Sequence, residues 1–572
     1  MGKFIQFVLA SCLGVILATF LLSFIGVAML TNLASGFQQA EGAKPNSVLK
    51  ITFEDPIPEQ TNNLESNPYE LETEAILGLH RTIDVIEKAA TDDNIKGILL
   101  DVSGMRTGRA TSSSLREALK DFQEQDKFIT AYSNYYSQGS YYMASVADQV
   151  FVHPIGGIDF RGFSAQVPFY KDMMDRLGIK AQIFYAGNFK SATEPFRLKK
   201  MSDYNRLQVR EYLEGLYTLF LEDIGASRNL SEEELRKIAD QYLIRRSEDA
   251  VKYGLADQMG YEDEVQSYLK ELLGLDREDK LNVISLNDYA TSNPASIDIT
   301  IKDKVAVIYA EGSIVDGEGN PGSVGGDRYA EIIRKVRKDR KVKAIVIRVN
   351  SPGGSALASD IIWREIGLAK EAGKPVVASM GDYAASGGYY ISCNADSIFT
   401  EPNTITGSIG VFAMLPSVQK MLNEKIGISF DTVKTGQFSV GINPVIDLEE
   451  AEKKIMQESI EEFYEIFLDR VAKGRGMTRD EVHAVAQGRV WTGERAKELG
   501  LADAFGDLET AVAAAAAMAD LDEYRVTEYP RVKDRVQQLI EDLTGKKQAK
   551  GMVAREISEV FPMYEQLKSI QL

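Results

Sequence analysis

The serine at position 386 lies among small residues that could let a substrate reach its hydroxyl. The surrounding stretch, DYAASGGYY over residues 382–390, predicts that Ser386 opens a helix. Small residues ahead of a helix let a carbonyl approach the hydroxyl, and the free N–H groups of the first turn can face developing negative charge. The stretch therefore indicates a nucleophile, although a serine that caps the helix fits the same position by residue type.

A lysine at position 190 could supply the base that such a serine needs. Lys190 lies in AGNFKSATEPF, residues 186–196, close to Phe189 and Ala192. Burial would lower the pKa of its ammonium from about 10.4 towards neutrality, because desolvation disfavours the charged form. A neutral amine can then accept a serine proton. Taken alone, however, an isolated lysine is more typical of a solvated surface.

Other catalytic arrangements find little support in the residues. The three histidines, His80, His153 and His483, are scattered without HExxH spacing, and the two cysteines, Cys12 and Cys393, form no CxxC pair. His483 has the helical context of an exposed residue, and no GxSxG elbow occurs. The stretch GEGNPG, residues 317–322, matches GxGxxG, but the preceding strand ends well before it, which favours a mobile loop. We therefore expect neither a metal nor a nucleotide cofactor.

The elements that position these residues belong to a diverged tandem duplication. Asp148 aligns with Asp396, an offset of 248 residues (396 − 148 = 248). Four blocks recur in the same order, namely DNIKGILLDVSG with RKVKAIVIRVNSPGG, SYYMASVADQVFVHP with GYYISCNADSIFTEP, LYTLFLEDI with FYEIFLDRV, and AVKYGLAD with AKELGLAD. Four matched blocks in one order make a chance similarity an unsatisfactory explanation.

The two copies differ at the residues that could do chemistry. The counterpart of Ser386 is Gln138, and after one inserted residue the counterpart of Lys190 is Ser439. The copy with the serine therefore lacks the lysine, and the copy with the lysine lacks the serine. This complementary loss favours a shared site over two incidental surface residues.

Within each copy, apolar strands alternate with helical stretches. The strands predicted at 305–309, 344–349 and 376–379 and the helices at 329–337 and 359–372 imply an α/β fold of βαβ units with right-handed crossovers. The polar stretch 276–293 is interpreted as the linker between the copies. The predicted organisation is an anchor at 1–45, a first repeat at 46–290, a second repeat at 291–533 and a helical tail at 534–572.

Composition places most of the chain among folded, soluble proteins. Its 572 residues are 44% hydrophobic and 26% charged, within the usual globular range. With 65 Lys and Arg against 84 Asp and Glu, the net charge is −19. Because such a surface repels phosphate backbones, we expect no nucleic-acid partner.

The exception is the N-terminal stretch 4–37, which carries no charged residue. It exceeds the roughly 20 apolar residues that span a bilayer, so an uncleaved signal anchor is favoured over a cleaved signal peptide. Lys3 precedes it, which places the N-terminus in the cytoplasm and the bulk of the chain outside. The alternative is a lipoprotein signal, LASC at 9–12, but too few apolar residues precede Cys12.

On these motifs, the chain resembles the long, two-repeat signal peptide peptidases of bacteria, the protease IV family. The match covers nearly everything after the anchor. Its most specific parts are FKSATEPF around Lys190, VNSPGGS at 349–355, YAASGGYYIS at 383–392, GSIGV at 407–411 and RVWTGERAKELGLAD at 489–503. The resemblance implies two tandem ββα-spiral domains, similar in fold to Clp protease and crotonase, and a homotetramer.

The resemblance also implies roles for individual residues. Ser386 matches the family's nucleophile, Lys190 its general base from the other repeat, and Ser408 the serine that holds the lysine amine. Gly353 and Gly387 match the donors of the oxyanion hole, where a side chain would obstruct close approach. Without the resemblance, a turn at 353–354 and a capping hydroxyl at Ser408 would be preferred. We expect the Ser386 hydroxyl and the Lys190 amine to lie about 2.6–3.2 Å apart.

The sequence as a whole predicts a membrane-anchored serine endopeptidase with a Ser-Lys dyad that degrades cleaved signal peptides and other apolar peptides. We expect a single-pass protein of the bacterial inner membrane, with the catalytic part on the extracytoplasmic side. Two alternatives remain. A crotonase-like acyl-CoA enzyme would share the fold but use carboxylates, and a non-catalytic membrane-associated scaffold would leave Ser386 and Lys190 incidental.

Overall fold

The computed structural model of the chain describes residues 42–53, 56–63, 76–294, 298 and 300–532, together with the single positions 2 and 20. The predicted anchor therefore lies almost entirely outside the described residues, and the predicted tail at 534–572 lies wholly outside them. None of the helices within the described ranges is both long enough and apolar enough to cross a membrane.

The first copy is built on a parallel sheet. Its strands are β1 (Ser47–Thr52), β2 (Ile95–Asp101), β3 (Phe128–Tyr136), β4 (Gln149–Ile158), β5 (Lys180–Ala186), β6 (Gln258–Met259) and β7 (Asn282–Ser285). All except β5 pair in the order β6-β4-β3-β2-β1-β7, and every pair is parallel. Parallel neighbours require crossover connections, and helices supply most of them.

The helices of the first copy cover both faces of this sheet and extend beyond it. They are α1 (Leu79–Thr91), α2 (Arg109–Gln123), α3 (Gln138–Ala144), α4 (Lys171–Leu177), α5 (Glu194–Arg197), α6 (Asp203–Arg228), α7 (Glu232–Asp240), α8 (Ser247–Lys252), α9 (Glu262–Leu272) and α10 (Leu286–Ser292), with a 3₁₀ turn at Ser191–Thr193. The long helix α6 begins where the Ser202 hydroxyl accepts from the Asn205 N–H and ends at Asn229 in the left-handed conformation.

The second copy repeats the arrangement. Its strands are β8 (Lys304–Glu311), β9 (Ile314–Val315), β10 (Val324–Gly325), β11 (Val342–Ser351), β12 (Val376–Ala385), β13 (Ser397–Thr400), β14 (Ile405–Gly407), β15 (Val411–Ser417), β16 (Val490–Thr492), β17 (Ala504–Phe505) and β18 (Arg525–Tyr529). The path β17-β13-β12-β11-β8-β18 has the same strand order as the first sheet, and β14 and β16 extend from β12. The shared order supports the duplication inferred from the four sequence blocks.

The helices of the second copy follow the same plan. They are α11 (Gly326–Lys338), α12 (Ala356–Glu371), α13 (Gly387–Ser392), α14 (Glu450–Arg475), α15 (Arg479–Val485), α16 (Gly493–Glu498) and α17 (Leu508–Met518), with a π-helical turn at Met421–Ile426. The predicted strands and helices of this copy are confirmed with shifted bounds. The largest difference is at β12, which continues six residues past the predicted end at 379, to Ala385. The α/β class is confirmed with them.

Burial on both faces explains why the central strands are continuous apolar runs. In β11, Ile345 and Ile347 belong to the main core of the second copy. The alternating residues Ala344 and Val346 pack instead on the opposite face, against Leu508 and its neighbours in α17. A parallel strand covered on both sides needs hydrophobic residues at every position.

The expected linker at 276–293 is wrong in part. Within it, β7 pairs with β1 at the edge of the first sheet, and α10 buries Leu286 and Tyr289. The polar composition reflects an edge strand and a surface helix, because both leave one side in solvent. By position β7 corresponds to β18 of the second sheet, so this stretch completes the first copy.

The contacts between the copies include a strand pair and a buried ion pair. Strand β5 of the first copy pairs antiparallel with β15 of the second, from Val411 opposite Ala186 to Ser417 opposite Lys180. Elsewhere, the Glu59 carboxylate receives the Arg348 guanidinium at 2.8 and 3.2 Å, with both side chains almost fully buried. Arg348 also donates to the Ser379 hydroxyl and the Met380 carbonyl in β12.

Removing Glu59 alone should destabilise the interface between the copies. The substitution Glu59→Leu leaves the Arg348 guanidinium buried without its carboxylate, which costs about 3–5 kcal/mol. The double variant Glu59→Leu, Arg348→Met should recover most of that loss because no charge remains buried. Urea unfolding measures both. The exposed pair of Arg364 and Glu371 provides the control, since Glu371→Ala should cost less than about 1 kcal/mol. Equal losses of unfolding free energy in Glu59→Leu and Glu371→Ala would contradict the stabilising role of the buried pair.

Candidate active site

Ser386 stands at the junction between β12 and α13 in a strained conformation. Its φ of 55° and ψ of −117° are unusual for a residue with a side chain, and its N–H donates to the Gly407 carbonyl at 2.9 Å. Helix α13 begins directly afterwards, as the sequence predicted. The Ser386 hydroxyl makes no capping hydrogen bond to this helix, so the helix-cap alternative is not supported.

The Lys190 side chain comes from the first copy and lies beside Ser386. It follows β5, is 4% exposed, and places its Nζ 3.0 Å from the Ser386 Oγ. That separation falls within the expected range. Nζ also lies 3.0 Å from the Ser408 Oγ and 3.1 Å from the Ser408 carbonyl oxygen, so Ser408 contacts the amine from the second copy.

The surroundings of Lys190 change its protonation. Burial lowers the pKa of Lys190 to about 7, because the charged amine loses its hydration. The ring of Phe412 lies 5.9 Å from Nζ. Near neutral pH, a substantial fraction of this amine is therefore uncharged, and its lone pair can accept a proton from the Ser386 hydroxyl.

Close backbone packing between the copies makes this burial possible. The Phe189 N–H donates to the Gln487 carbonyl at 2.9 Å. A methyl group at Gly488, whose φ is +79°, would lie 2.7 Å from the Lys190 backbone nitrogen. From α6, the Gln208 amide donates to the Phe189 carbonyl at 3.0 Å. Sequence reasoning missed Gly488 and Gln208, although Gly488 directly precedes the quoted block at 489–503.

The glycine turn after β11 lies against Ser386. A methyl group at Gly353, with φ of +100°, would lie 2.6 Å from the Gly387 nitrogen and 2.8 Å from the Ser386 Cβ. Only glycine permits this approach. The Gly353 N–H donates to the Ser351 hydroxyl at 3.2 Å. By contrast, the N–H groups of Gly387 and Gly354 have no hydrogen-bond acceptor among the described residues.

A cavity of about 980 Å³ opens beside these groups. Ser386, Lys190 and Ser408 line it, and its apolar wall comes from Leu357, Met414, Met456, Ile460, Phe463 and Phe467. Tyr390 also lines the cavity, whereas its neighbour Tyr389 is buried and donates to the Leu501 carbonyl at 2.9 Å. The cavity can hold an extended apolar chain next to the hydroxyl.

The remaining candidate residues do not line this cavity. His483 is exposed in α15, with its Nδ1 3.1 Å from the Tyr464 hydroxyl. Burial raises the pKa of the Cys393 thiol to about 12, which keeps it protonated. The loop at 317–322 connects β9 to β10. No cluster of metal-ligating side chains occurs in the part of the chain that the structure describes.

Replacing Lys190 by methionine should increase stability in a pH-dependent manner. Between pH 7 and 10.5 the unfolded lysine binds more proton than the folded one, so the stability of the wild type rises with pH across this window. The gain in melting temperature from Lys190→Met should therefore be largest near pH 7 and shrink as pH increases. Thermal unfolding from about pH 7 to 10 measures it, and Lys200→Met, at an exposed lysine, should show no such trend. A gain independent of pH would contradict the lowered pKa.

Comparison with known proteins places the chain in a family. The model of peptidase family S49 matches residues 121–276 and 368–522, one segment in each copy. Protease 4 of Salmonella typhi is 38% identical over 492 residues, which cover 84% of this chain and 78% of that protein. Protease 4 of Haemophilus influenzae is 37% identical over 449 residues, covering 75% and 72%. A ClpP1 mutant from Listeria monocytogenes aligns with 36% of this chain and 94% of its own, at 16% identity and a TM-score of 0.25. On the family match and the two Protease 4 relatives, the chain belongs to peptidase family S49 and is a serine peptidase.

Proposed function

We propose that the protein is a membrane-anchored endopeptidase that hydrolyses cleaved signal peptides and other apolar peptides with a Ser-Lys dyad. The observation that carries the proposal is the 3.0 Å contact between the Ser386 Oγ and a buried Lys190 amine whose pKa is about 7. A base with a pKa near the working pH is suited to accept and return a proton.

The proposed reaction divides the proton transfers between the two copies. Neutral Lys190 takes the proton of Ser386 as the Oγ attacks the peptide carbonyl. The resulting ammonium then protonates the departing amine, leaving an ester on Ser386. Water attacks this ester while Lys190 accepts a proton from the water and returns it to the Ser386 oxygen. Side chains, backbone N–H groups and water are sufficient for each step.

The backbone beside Ser386 would stabilise the oxyanion. The Gly387 N–H, which has no acceptor among the described residues, is one proposed donor. The turn at Gly353 and Gly354 provides the second. The N–H of Gly354 is free within the described chain, whereas that of Gly353 would first have to leave the Ser351 hydroxyl. The proposed oxyanion hole therefore consists of the Gly387 N–H and an N–H of this turn.

The cavity supports peptides of apolar character as substrates. Its methionine, isoleucine and phenylalanine side chains would bury apolar residues next to the scissile bond, where burial contributes about 25 cal/mol per Å². Signal peptides provide such stretches and are released in a bilayer. An anchor at 4–37 in the bacterial inner membrane, with the peptidase on the extracytoplasmic side and a homotetrameric assembly, would keep the enzyme near them.

Activity should require one residue from each copy. Ser386→Ala and Lys190→Ala should each lower kcat/KM on an apolar peptide ester by at least about 10³-fold, since the two act as a unit. Ser386→Ala should also abolish labelling by a fluorophosphonate. Ser439→Ala, at the position in the second copy that corresponds to Lys190, should leave turnover unchanged. Full activity of Lys190→Ala would exclude Lys190 as the base. A wild-type protein that the fluorophosphonate does not label would exclude Ser386 as the nucleophile.

The pH dependence of kcat/KM should follow the protonation of Lys190. Because only the neutral amine accepts a proton, kcat/KM should rise about tenfold per unit below pH 7 and level off above it. Steady-state hydrolysis from about pH 5 to 9 measures the profile. Loss of activity on raising the pH through 7 would contradict the assignment.

Ser408 should act as a positioning residue. Ser408→Ala removes the hydroxyl 3.0 Å from Nζ and allows the amine to turn away from Ser386, so kcat should fall about 10- to 100-fold while KM changes little. Steady-state kinetics at saturating peptide separates the two parameters. A change confined to KM would instead assign Ser408 to substrate binding.

A further inference from the structure

One acidic side chain lines the cavity beside Ser386. Among the described residues that line this cavity, only Lys190 and Asp316 have side chains that are charged in water. Because burial lowers the pKa of Lys190 to about 7, a substantial fraction of its amine is neutral at that pH. Asp316, by contrast, is exposed to solvent at the edge of the cavity. The cavity therefore combines an apolar wall with one negative charge.

Asp316 directly follows β9, the short strand that runs beside the glycine turn. The Ile314 N–H donates to the Gly353 carbonyl at 3.0 Å, and the Ser355 N–H donates to the Ile314 carbonyl at 2.8 Å. A methyl group at Gly387, the residue after Ser386, would lie 3.2 Å from the Ile314 Cδ1. An extended chain advances about 3.3 Å per residue, so the carboxylate of Asp316 lies about two or three peptide residues from the position of the scissile bond.

The start of helix α12 holds this carboxylate in place. The Ser355 hydroxyl donates to the Asp316 Oδ1, and the same hydroxyl accepts from the Ala358 N–H at 3.2 Å in the first turn of α12. Ser355 itself lines the cavity. No residue in the described part of the chain donates a hydrogen bond to the Asp316 Oδ2. One carboxylate oxygen is therefore fixed by the fold, and the other can accept a hydrogen bond from a ligand.

A second carboxylate near the cavity shows what Asp316 lacks. Asp360 accepts from the hydroxyl of the cavity residue Tyr390 at 2.6 Å, and the Arg470 guanidinium lies 3.2 Å from the same oxygen. The charge of Asp360 is thus compensated within the chain, whereas no lysine or arginine among the described residues forms an ion pair with Asp316. A carboxylate beside a low-dielectric apolar wall attracts a cation more strongly than one surrounded by water.

We propose that Asp316 binds the cationic side chain of a lysine or arginine in the substrate, about two or three residues from the cleaved bond. The apolar wall of the cavity then binds the hydrophobic residues of the same peptide. This inference rests on the proposed peptidase function and specifies its substrate class. Secretory signal peptides combine both features where the basic first segment meets the apolar segment, so we expect cleavage near that boundary.

Exchanging the charge at position 316 tests this contact. An apolar peptide with blocked termini would carry lysine, norleucine or glutamate at each of the three positions on either side of the cleaved bond, which mass spectrometry locates. At one position, wild-type kcat/KM should be about tenfold higher for lysine than for norleucine, as a charge-assisted hydrogen bond provides. Asp316→Asn should abolish this preference, and Asp316→Lys should prefer glutamate at the same position.

The matched control is Glu318→Gln, because Glu318 is an exposed acid close to Asp316 in the chain that does not line the cavity. This variant should keep the lysine preference of the wild type. Raising the salt concentration from about 0.05 to 0.5 M should reduce the preference, since ions screen an exposed charge pair. A wild-type lysine preference below about twofold at every position, or a preference that Asp316→Asn retains, would overturn the proposal.

Binding to an inactive variant separates this inference from the proposed peptidase function. Fluorescence anisotropy compares the lysine and norleucine peptides on Ser386→Ala and on the double variant Ser386→Ala, Asp316→Asn. We expect the lysine peptide to bind more tightly than the norleucine peptide to Ser386→Ala only. That result without hydrolysis by the wild type would support the cation site and contradict the proposed reaction. Equal binding of the two peptides to Ser386→Ala, with hydrolysis by the wild type, would overturn the cation site alone.

Discussion

Removal of the Lys190 amine from water is the constraint on which the site depends. An amine on the surface keeps a pKa near 10.4 and remains charged at neutral pH. Here the lysine loop of the first copy lies against the second copy, and the contact at Gly488 leaves no space for a side chain between them. The antiparallel pairing of β5 with β15 and the buried pair of Glu59 with Arg348 hold the copies in this position. Separation of the copies would hydrate the amine and restore its charge.

The joint between the copies is itself strongly polar. Burial raises the pKa values of Glu311 and Glu401 to about 7, with Glu59 adding repulsion at Glu311 and Arg348 opposing the shift at both carboxyls. Asn63 donates to the Glu311 carboxylate at 2.7 Å, and Ser114 donates to Glu401 at 3.2 Å. Buried polar groups of this kind need every partner in place. They favour one relative position of the two copies, which a purely apolar contact would specify less strictly.

The duplication produced two copies of one fold that carry different residues at the aligned positions. The two sheets share a strand order, yet only the second copy has a serine at the strained junction after its third main strand, where the first has Gln138. The first copy in turn contributes Lys190, which follows β5. The corresponding segment of the second copy, 429–435, is exposed and carries Val433 in place of the buried Phe184. Divergence thus left the serine in one copy and the lysine in the other.

The sequence by itself determined the α/β class, the duplication, most central strands, and the pairing of Ser386 with Lys190. Apolar periodicity is a local property of the chain, and the duplication can be recognised by aligning one copy with the other. Both can therefore be obtained without knowing which distant residues are in contact. Only the tertiary structure decided that 282–285 completes the first sheet, that Gly488 permits the lysine to approach, and that the N–H of Gly353 is already bonded to Ser351. The strained backbone of Ser386 and the lowered pKa of Lys190 are also consequences of the tertiary structure. Each arises from atoms distant in the chain, since backbone conformation and desolvation depend on what packs around a residue.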